Sequence, residues 1–367
     1  MLSNLNLTNF TAFKKANLDF SEGLNVIVGE NGTGKTHLLK LGYLISNIWE
    51  SQVKNRSAIS KESIERHLAE RLLHILKPEQ IGNLASSGGK GKSVVTGTVK
   101  GSIPTVSIST PHEPPLSPVG DEIVWSFQFS DRAETKVSVD QLPERLTSNA
   151  SFGRSVYLPS KEMVSFFDGF ISLYETHELA FDETFRDLAI NLSSPRLKET
   201  PEFVSKLLDS LGNAIGGEVA LEGGRFYTVT AKKRQRREIT LLAEGLRKLA
   251  TVVQLLNNGS LQAGGTLFWD EPEANLNPKL IRLIAEALFY LCRNGIQVIL
   301  ATHSLFLLRE LEILSSKKEF NDVDQCYFAL KPTAGGVTIS QGRSIDDIDP
   351  LILLDESLEQ SDRFLAV

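Results

Sequence analysis

Residues 29–36, Gly29-Glu30-Asn31-Gly32-Thr33-Gly34-Lys35-Thr36, follow an apolar run at 24–28 and precede a stretch in which Leu38, Leu41, Ile45 and Ile48 recur at helical spacing. Strand, glycine loop and helix in this order leave few folds open. The glycines let backbone N–H groups turn inward onto phosphate oxygens, and Lys35 is spaced to reach the outer phosphates. The Thr36 hydroxyl sits where a Mg²⁺ ligand is needed, at a helix N-terminus that already favours anions. Gly29, Asn31, Gly32, Gly34, Lys35 and Thr36 are therefore candidate nucleotide ligands, with Thr36 also a candidate metal ligand.

At 367 residues the chain exceeds one usual domain length, so a single large α/β domain with insertions and a two-lobed body both fit. A formal net charge of −6 argues against a uniformly basic nucleic-acid binder and leaves room for a local basic patch. Cys292 and Cys326 lack metal-ligand spacing and lie in apolar stretches, which reads as buried, reduced thiols in a reducing compartment. The N-terminus has no charged start followed by an apolar run, and no stretch is apolar for the length of a membrane span. The expectation is a cytoplasmic protein without a membrane partner.

Along the chain, 1–28 alternates as short strands, with Leu5, Leu7, Phe10, Phe13, Leu18 and Phe20 apolar, giving a small β lobe. Helical spacing runs from Thr36 to about Pro78, with Ile64, His67, Leu68, Leu72 and Ile75 on one face; His67 and His74 read as surface or groove histidines. Residues 82–150 form a candidate β-rich insertion: 82–120 shifts toward Gly, Ser, Thr and Pro, 94–108 alternates, 111–115 is an irregular loop, and 123–129 is a strand. A strand at 155–158 ends at Pro159-Ser160-Lys161-Glu162. Residues 160–235 read as helices and then a hairpin, with strands at 225–230 and 239–242. Between those strands, Lys232, Lys233, Arg234, Arg236 and Arg237 place five positive charges in six residues. Charges so close repel, so the tip is either a solvated turn or a contact for nucleic acid or an acidic protein.

Residues 238–305 carry the remaining chemistry. Thr266-Leu267-Phe268-Trp269 is a buried-strand pattern ending at Asp270-Glu271-Pro272-Glu273. An acid at a strand end beside a phosphate loop holds Mg²⁺ and the next carboxylate orients or deprotonates the attacking water, which assigns Asp270 to the metal and Glu271 to the water. Pro278 starts a helix that Asn294-Gly295 stops, and a strand at 296–301 ends at Thr302-His303-Ser304. His303 is placed to hydrogen-bond a terminal phosphate. In Leu242-Ala243-Glu244-Gly245, a glycine at a helix start offers free N–H groups to an anion.

Phosphate loop, Ala-Glu-Gly helix start, Leu-Phe-Trp-Asp-Glu-Pro-Glu strand and Thr-His-Ser strand end, in that order, resemble the ABC-type ATPases of the SMC, RecF and OLD kind, as do Leu7-Thr8-Asn9-Phe10 and 23–28. The resemblance covers 1–45 and 238–305. It implies a P-loop α/β fold: an ABC-type ATPase head with an N-terminal antiparallel β lobe, a mostly parallel sheet flanked by helices, and a β/α insertion in the middle. It further implies ATP and Mg²⁺ as cofactors and Gly245 contacting the γ-phosphate bound on a second subunit, so that ATP joins two protomers. The stretch 274–278 falls where that group has its interface-crossing D-loop. Ala243 replaces a signature serine, which implies slow turnover or a binding switch. Gln128 and 160–162 are candidates for the glutamine loop, and Phe13 reads either as an adenine-stacking ring or as core. Two functions follow from the resemblance. One is an ATP-dependent dimer controlling a separate effector, as in small prokaryotic ATPases of anti-phage or toxin-like systems. The other is a DNA-binding repair or recombination clamp without an effector. The 63 residues after Ser304, with acids at Asp322, Asp324 and 346–349, read as too short for a nuclease domain.

Overall fold

The computed structural model describes residues 1–55, 60–86, 91–101, 122–142, 152–230, 235–349 and 352–366. The expected strand residues 102–108, the loop at 111–115, and Lys232, Lys233 and Arg234 lie outside them.

Two sheets stack around the helix that follows the glycine loop. The first is antiparallel and takes β1 (Leu2–Phe10), β2 (Phe13–Asp19), β4 (Ser93–Lys100), β5 (Glu122–Phe129) and β6 (Ser138–Gln141) in the order β2-β1-β4-β5-β6. The β residues expected as an insertion are therefore continuous with the N-terminal lobe: β4 pairs along β1 from Leu2↔Val99 to Thr8↔Val94. Composition marked a boundary at 82, but it carries no information about long-range pairing, which joins strands some ninety positions apart.

The second sheet orders β14 (Gly336–Gly342), β13 (Gln325–Thr333), β3 (Leu24–Gly29), β12 (Gln297–Thr302), β11 (Thr266–Asp270) and β7 (Ser155–Leu158) as β14-β13-β3-β12-β11-β7. All its pairings are parallel except β13 with β14. Its central strands are buried on both faces, so they read as continuous apolar runs rather than alternating ones. Alternate residues serve two cores. Ile27, Phe268, Ile299, Ala301 and Phe328 pack toward α1 (Lys35–Asn55), α2 (Lys61–Leu76) and the first sheet. Val26, Val28, Leu267, Trp269, Val298 and Leu300 pack toward the opposite core, which includes residues of α4 (Glu183–Ser193), α5 (Glu202–Ile215), α6 (Glu244–Asn257), α7 (Pro278–Arg293) and α8 (Leu305–Ser315). A short α3 (Phe170–Thr176) precedes α4.

Two buried polar side chains, Gln297 and Arg71, stitch the layers together through their hydrogen bonds and ion pairs. Gln297, fully buried, accepts from the Leu2 N–H at 2.8 Å and donates to the carbonyls of Leu2 and Ser21, each at 2.7 Å. Arg71 of α2 meets Asp187 at 2.7 Å and Glu183 at 3.0 Å, both on α4. Cys292 and Cys326 are free and buried, and burial pushes the Cys326 thiol up to about 11.

A third, small sheet takes β8 (Glu218–Glu222), β9 (Arg225–Val229) and β10 (Arg236–Glu238) in the order β10-β9-β8. Arg236 and Arg237 thus lie on a strand and not at a hairpin tip. The strand expected at 239–242 is corrected: pairing stops at Glu238, and Ile239–Leu241 is a 3₁₀ turn. The side chains of Ile239 and Leu242 are drawn into the core while Leu241 is 74% exposed, a pattern of period three that suits a turn entering α6. No helix among the described residues is long and apolar enough to cross a membrane.

Candidate nucleotide site

Parallel register brings the chemistry to one edge. Val28 pairs with Thr302, Ala301 with Asp270, and Trp269 with Leu158, so the glycine loop, His303, Asp270-Glu271 and the stretch after Leu158 all leave the C-terminal ends of adjacent strands. Ligands of open α/β sheets bind at that edge.

The glycine loop turns where only glycine is comfortable. Gly32 and Gly34 have φ of +82° and +91°, and a Cβ on Gly34 would come 3.0 Å from the Phe13 ring. Phe13 is fully buried beneath the loop, so it is a core residue that supports the loop and does not stack on a base. The Lys35 ammonium donates to the carbonyls of Gly29 at 2.7 Å and Glu30 at 2.9 Å. Burial pushes the lysine below its ordinary pKa, and Glu271, Asp270, Glu273 and Glu30 pull it back up. The loop opens onto a cavity of about 450 Å³ that Asn31, Gly32, Gly34, Lys35, Thr36 and Glu271 line together with Thr11, Ala12, Asn83, Leu84 and Ala85.

Thr36 Oγ1 donates to Asp270 Oδ2 at 2.9 Å, uniting the two residues expected to hold the metal although 234 positions separate them. Asp270 is buried; desolvation raises its pKa above the ordinary value, the Thr36 hydrogen bond lowers it, and the Glu271 charge raises it again. No cluster of three or more His, Cys, Asp or Glu suited to a metal occurs among the described residues. A hydroxyl and one carboxylate fit Mg²⁺, which keeps waters and nucleotide phosphates as its other ligands.

Glu271 has φ of +49°, a left-handed conformation uncommon outside glycine. Its N–H donates to the Ala301 carbonyl at 2.9 Å, and its own carbonyl accepts from Lys248 Nζ at 2.9 Å and from the Ala274 N–H at 3.1 Å. This turn brings its carboxylate to 3.2 Å from His303 Nδ1. Glu273 fixes the opposite side of the pair. It accepts from the Thr302 hydroxyl at 2.6 Å and the His303 N–H at 3.3 Å, and its second oxygen is buried without a hydrogen-bond partner.

Gly245 lies at the start of α6 with Ala243 as N-cap. It is buried, and a Cβ there would meet Leu276 Cδ2 at 2.5 Å and the Asn275 carbonyl at 2.7 Å, so within one chain its contacts are with the stretch after Glu273. Of the two glutamine-loop candidates, Gln128 sits on β5 bonded to Asp140, in the other sheet. The stretch 159–162 instead leaves β7 beside Asp270, and Glu162 there holds Arg247 of α6 at 2.7 Å.

Sequence reasoning missed Glu273, Lys248 and the cavity wall at Thr11, Ala12 and 83–85. Glu273 carried a usable signal, a second acid two residues after Glu271. The wall carried none, because a 3₁₀ turn at Ile81–Leu84 is brought there by long-range bonds to the end of β1 and the turn after it, the Thr11 N–H to the Leu84 carbonyl at 2.7 Å and the Ser86 N–H to the Asn9 carbonyl at 3.0 Å.

A phosphate loop, a paired hydroxyl and carboxylate, and a glutamate against a histidine, set on adjacent parallel strands beneath an antiparallel lobe, define an ABC-type P-loop ATPase head. A family model, "AAA domain, putative AbiEii toxin, Type IV TA system", matches residues 114–309, just over half the chain, and the chain belongs to that family. A second model, "AAA ATPase domain", matches residues 1–77. The Old nuclease of Escherichia phage P2 is 28% identical over 145 residues, 40% of this chain and 22% of the relative. The DNA replication and repair protein RecF of Geobacillus kaustophilus is 44% identical over 45 residues, 12% of each chain. The matches thus span less than a quarter of these relatives' lengths. Two solved structures share the fold at low identity. The SmcHead bound to the C-winged helix domain of ScpA has a TM-score of 0.51 at 13% identity, with 94% of this chain and 98% of that one covered. The Pyrococcus furiosus Smc head domain with an extended coiled coil, bound to the C-terminal domain of ScpA, has 0.50 at 12%, with 99% of each covered.

Proposed function

We propose that the chain binds ATP with Mg²⁺, dimerises around it, and hydrolyses it slowly to control a separate effector polypeptide, in a cytoplasmic anti-phage or toxin-like defence system. The observation that carries the chemistry is the Thr36–Asp270 bond beside the Glu271–His303 pair on one sheet edge. The metal and water-orienting groups are thereby preassembled next to the phosphate loop, and phosphoryl transfer needs little from a protein beyond positioning and charge. Thr36 and Asp270 hold the metal, Lys35 the outer phosphates, Glu271 the water, and His303 the terminal phosphate. ATP lies in one protomer's cavity against the α6 start of the other, near Gly245. The family description supports the toxin-like setting. Sedimentation tests the dimer: Glu271→Gln with ATP runs as a dimer and Lys35→Ala as a monomer, whereas a monomeric, ATP-loaded Glu271→Gln protein overturns the shared site. Identifying what co-purifies with the chain tests the effector.

A second reading, a DNA clamp, is favoured by the exposed Arg237 beside Arg236 on β10 and by the names of the RecF relatives. Arg236 is already committed to Glu222 at 2.7 Å and lies over the Tyr227 ring. DNA affinity that falls steeply with salt and is lost on charge reversal at Arg237 supports the clamp.

A further inference from the structure

Lys248 is 3% exposed, one helical turn beyond the start of α6, and it reaches out of that helix to the end of β11. A buried ammonium is costly unless it is hydrogen-bonded and compensated by charge. Among the described residues, its ammonium donates to the main-chain carbonyl of Glu271, at 2.9 Å. Glu273, Glu271, Glu244 and Asp270 surround it as compensating carboxylates, and burial is the force that pulls its pKa down.

The carbonyl it grips belongs to the residue with φ of +49°. For a glutamate that conformation costs roughly 1–2 kcal/mol and persists only where surrounding bonds over-determine it. Three bonds do so: the Glu271 N–H to Ala301, and the Glu271 carbonyl with the Ala274 N–H and Lys248 Nζ. The first two come from the sheet and from the turn itself. Of the three, Lys248 comes from outside the sheet and the turn, from the helix whose start carries Gly245.

We infer that Lys248 is a positioning residue for hydrolysis, holding the Glu271 turn so that its carboxylate faces His303 and the attacking water, and tying that turn to α6. The role of Glu271 rests on the function proposed above. A one-ångström misplacement of a catalytic group costs up to about 10²-fold in rate, while the phosphate loop does not depend on this lysine. The signature of the role is therefore a fall in kcat without a fall in ATP affinity.

Lys248→Met keeps the length of the side chain and removes its donor. The expected result is a kcat lowered about 10–100-fold with the Kd for ATP changed less than about twofold. Because both residues act through one carboxylate, Lys248→Met placed on Glu271→Gln causes no further loss of the residual rate. Wild-type turnover by Lys248→Met, a Kd that rises in step with the lost rate, or additive losses in the double variant each overturn the inference. Should Lys248→Met not fold, Lys248→Leu, which also lacks a donor, enters the same cycle with the same criteria. Sedimentation of Glu271→Gln with ATP is scored separately, so a failed dimer removes the shared site and leaves the Lys248 result to stand or fall alone.

Discussion

The Nδ1 atom of His303 lies 3.2 Å from Oε1 of Glu271, and the two residues sit at the ends of paired strands β12 and β11. Neither is deeply buried: the side chains are 50% and 31% exposed, open to a phosphate and to water. If Glu271 is the proton acceptor proposed above, Glu271→Gln removes it and keeps the shape, so ATP binding survives while the rate falls about 10²–10⁴-fold, the usual contribution of general-base catalysis. His303→Ala leaves Glu271 present without its partner at 3.2 Å and removes the proposed phosphate contact, so a smaller loss is expected, again with ATP retained. Single-turnover hydrolysis and equilibrium ATP binding, measured on both variants, separate rate from affinity.

Asp270 gives a pH dependence whose sign follows from its burial. Its native pKa lies above the ordinary 3.8, mainly through desolvation, so the native state holds that proton more tightly than the unfolded chain does. The stability contribution of this group is therefore fully present below 3.8 and is lost as pH rises through the raised value. In the proposed site Mg²⁺ needs the carboxylate, so metal binding opposes that loss, and stabilisation by Mg-ATP is expected to grow with pH across the same window. Asp270→Asn raises the melting temperature of the ligand-free protein at neutral pH and abolishes this growth. It also weakens Mg²⁺ binding by about 10–100-fold or more, the range typical for disturbed metal sites. Thermal scans with and without Mg-ATP at several pH values check all three outcomes.

Gly245 is tested by its missing side chain. A Cβ would lie 2.7 Å from the Asn275 carbonyl, and main chain there cannot yield cheaply. Gly245→Ala displaces 275–276 and lowers stability by about 1–3 kcal/mol, as overpacking does. Binding of ATP to the single chain persists, because the phosphate loop is on another element, whereas ATP-dependent dimerisation is lost. Urea unfolding and sedimentation of the variant, alone and with ATP, check both effects.

What could be read from the sequence was whatever is local. The glycine loop, the strand ending at Asp270, the proline start of α7 and the strand ending at Thr302 are each fixed by neighbours within about ten residues, and their order along the chain suggested their assembly. Pairings that close over long distances were opaque. Nothing near 93–100 announces that β4 lies along β1, and nothing near 83–85 announces the cavity wall. Ile239–Leu241 shows the opposite failure, an apolar run short enough to pass as a strand until the burial of Ile239 and Leu242 around an exposed Leu241 marks a turn. Lys248 was invisible because a lysine on a helix normally faces water, and only its burial and its reach to the Glu271 carbonyl take this one out of it.

The Arg71 network predicts a loss of stability that leaves the nucleotide site alone. Its guanidinium is nearly buried, with Asp187 at 2.7 Å, Glu183 at 3.0 Å and the Asn47 amide oxygen at 3.0 Å, and it lies over the Tyr43 ring. Tyr43 in turn donates its hydroxyl to Asp187 at 2.7 Å, so the cluster joins α1, α2 and α4. Arg71→Met removes the cation and strands two carboxylates in a largely apolar setting, which costs about 3–5 kcal/mol. Adding Asp187→Asn and Glu183→Gln removes the stranded charges and recovers part of that loss. None of Tyr43, Arg71, Glu183 and Asp187 lines the nucleotide cavity, so ATP affinity below the unfolding midpoint remains that of the parent. Urea unfolding of the single and triple variants, with ATP binding measured at low urea, checks the prediction. A triple variant no more stable than Arg71→Met shows that packing, not stranded charge, dominates there.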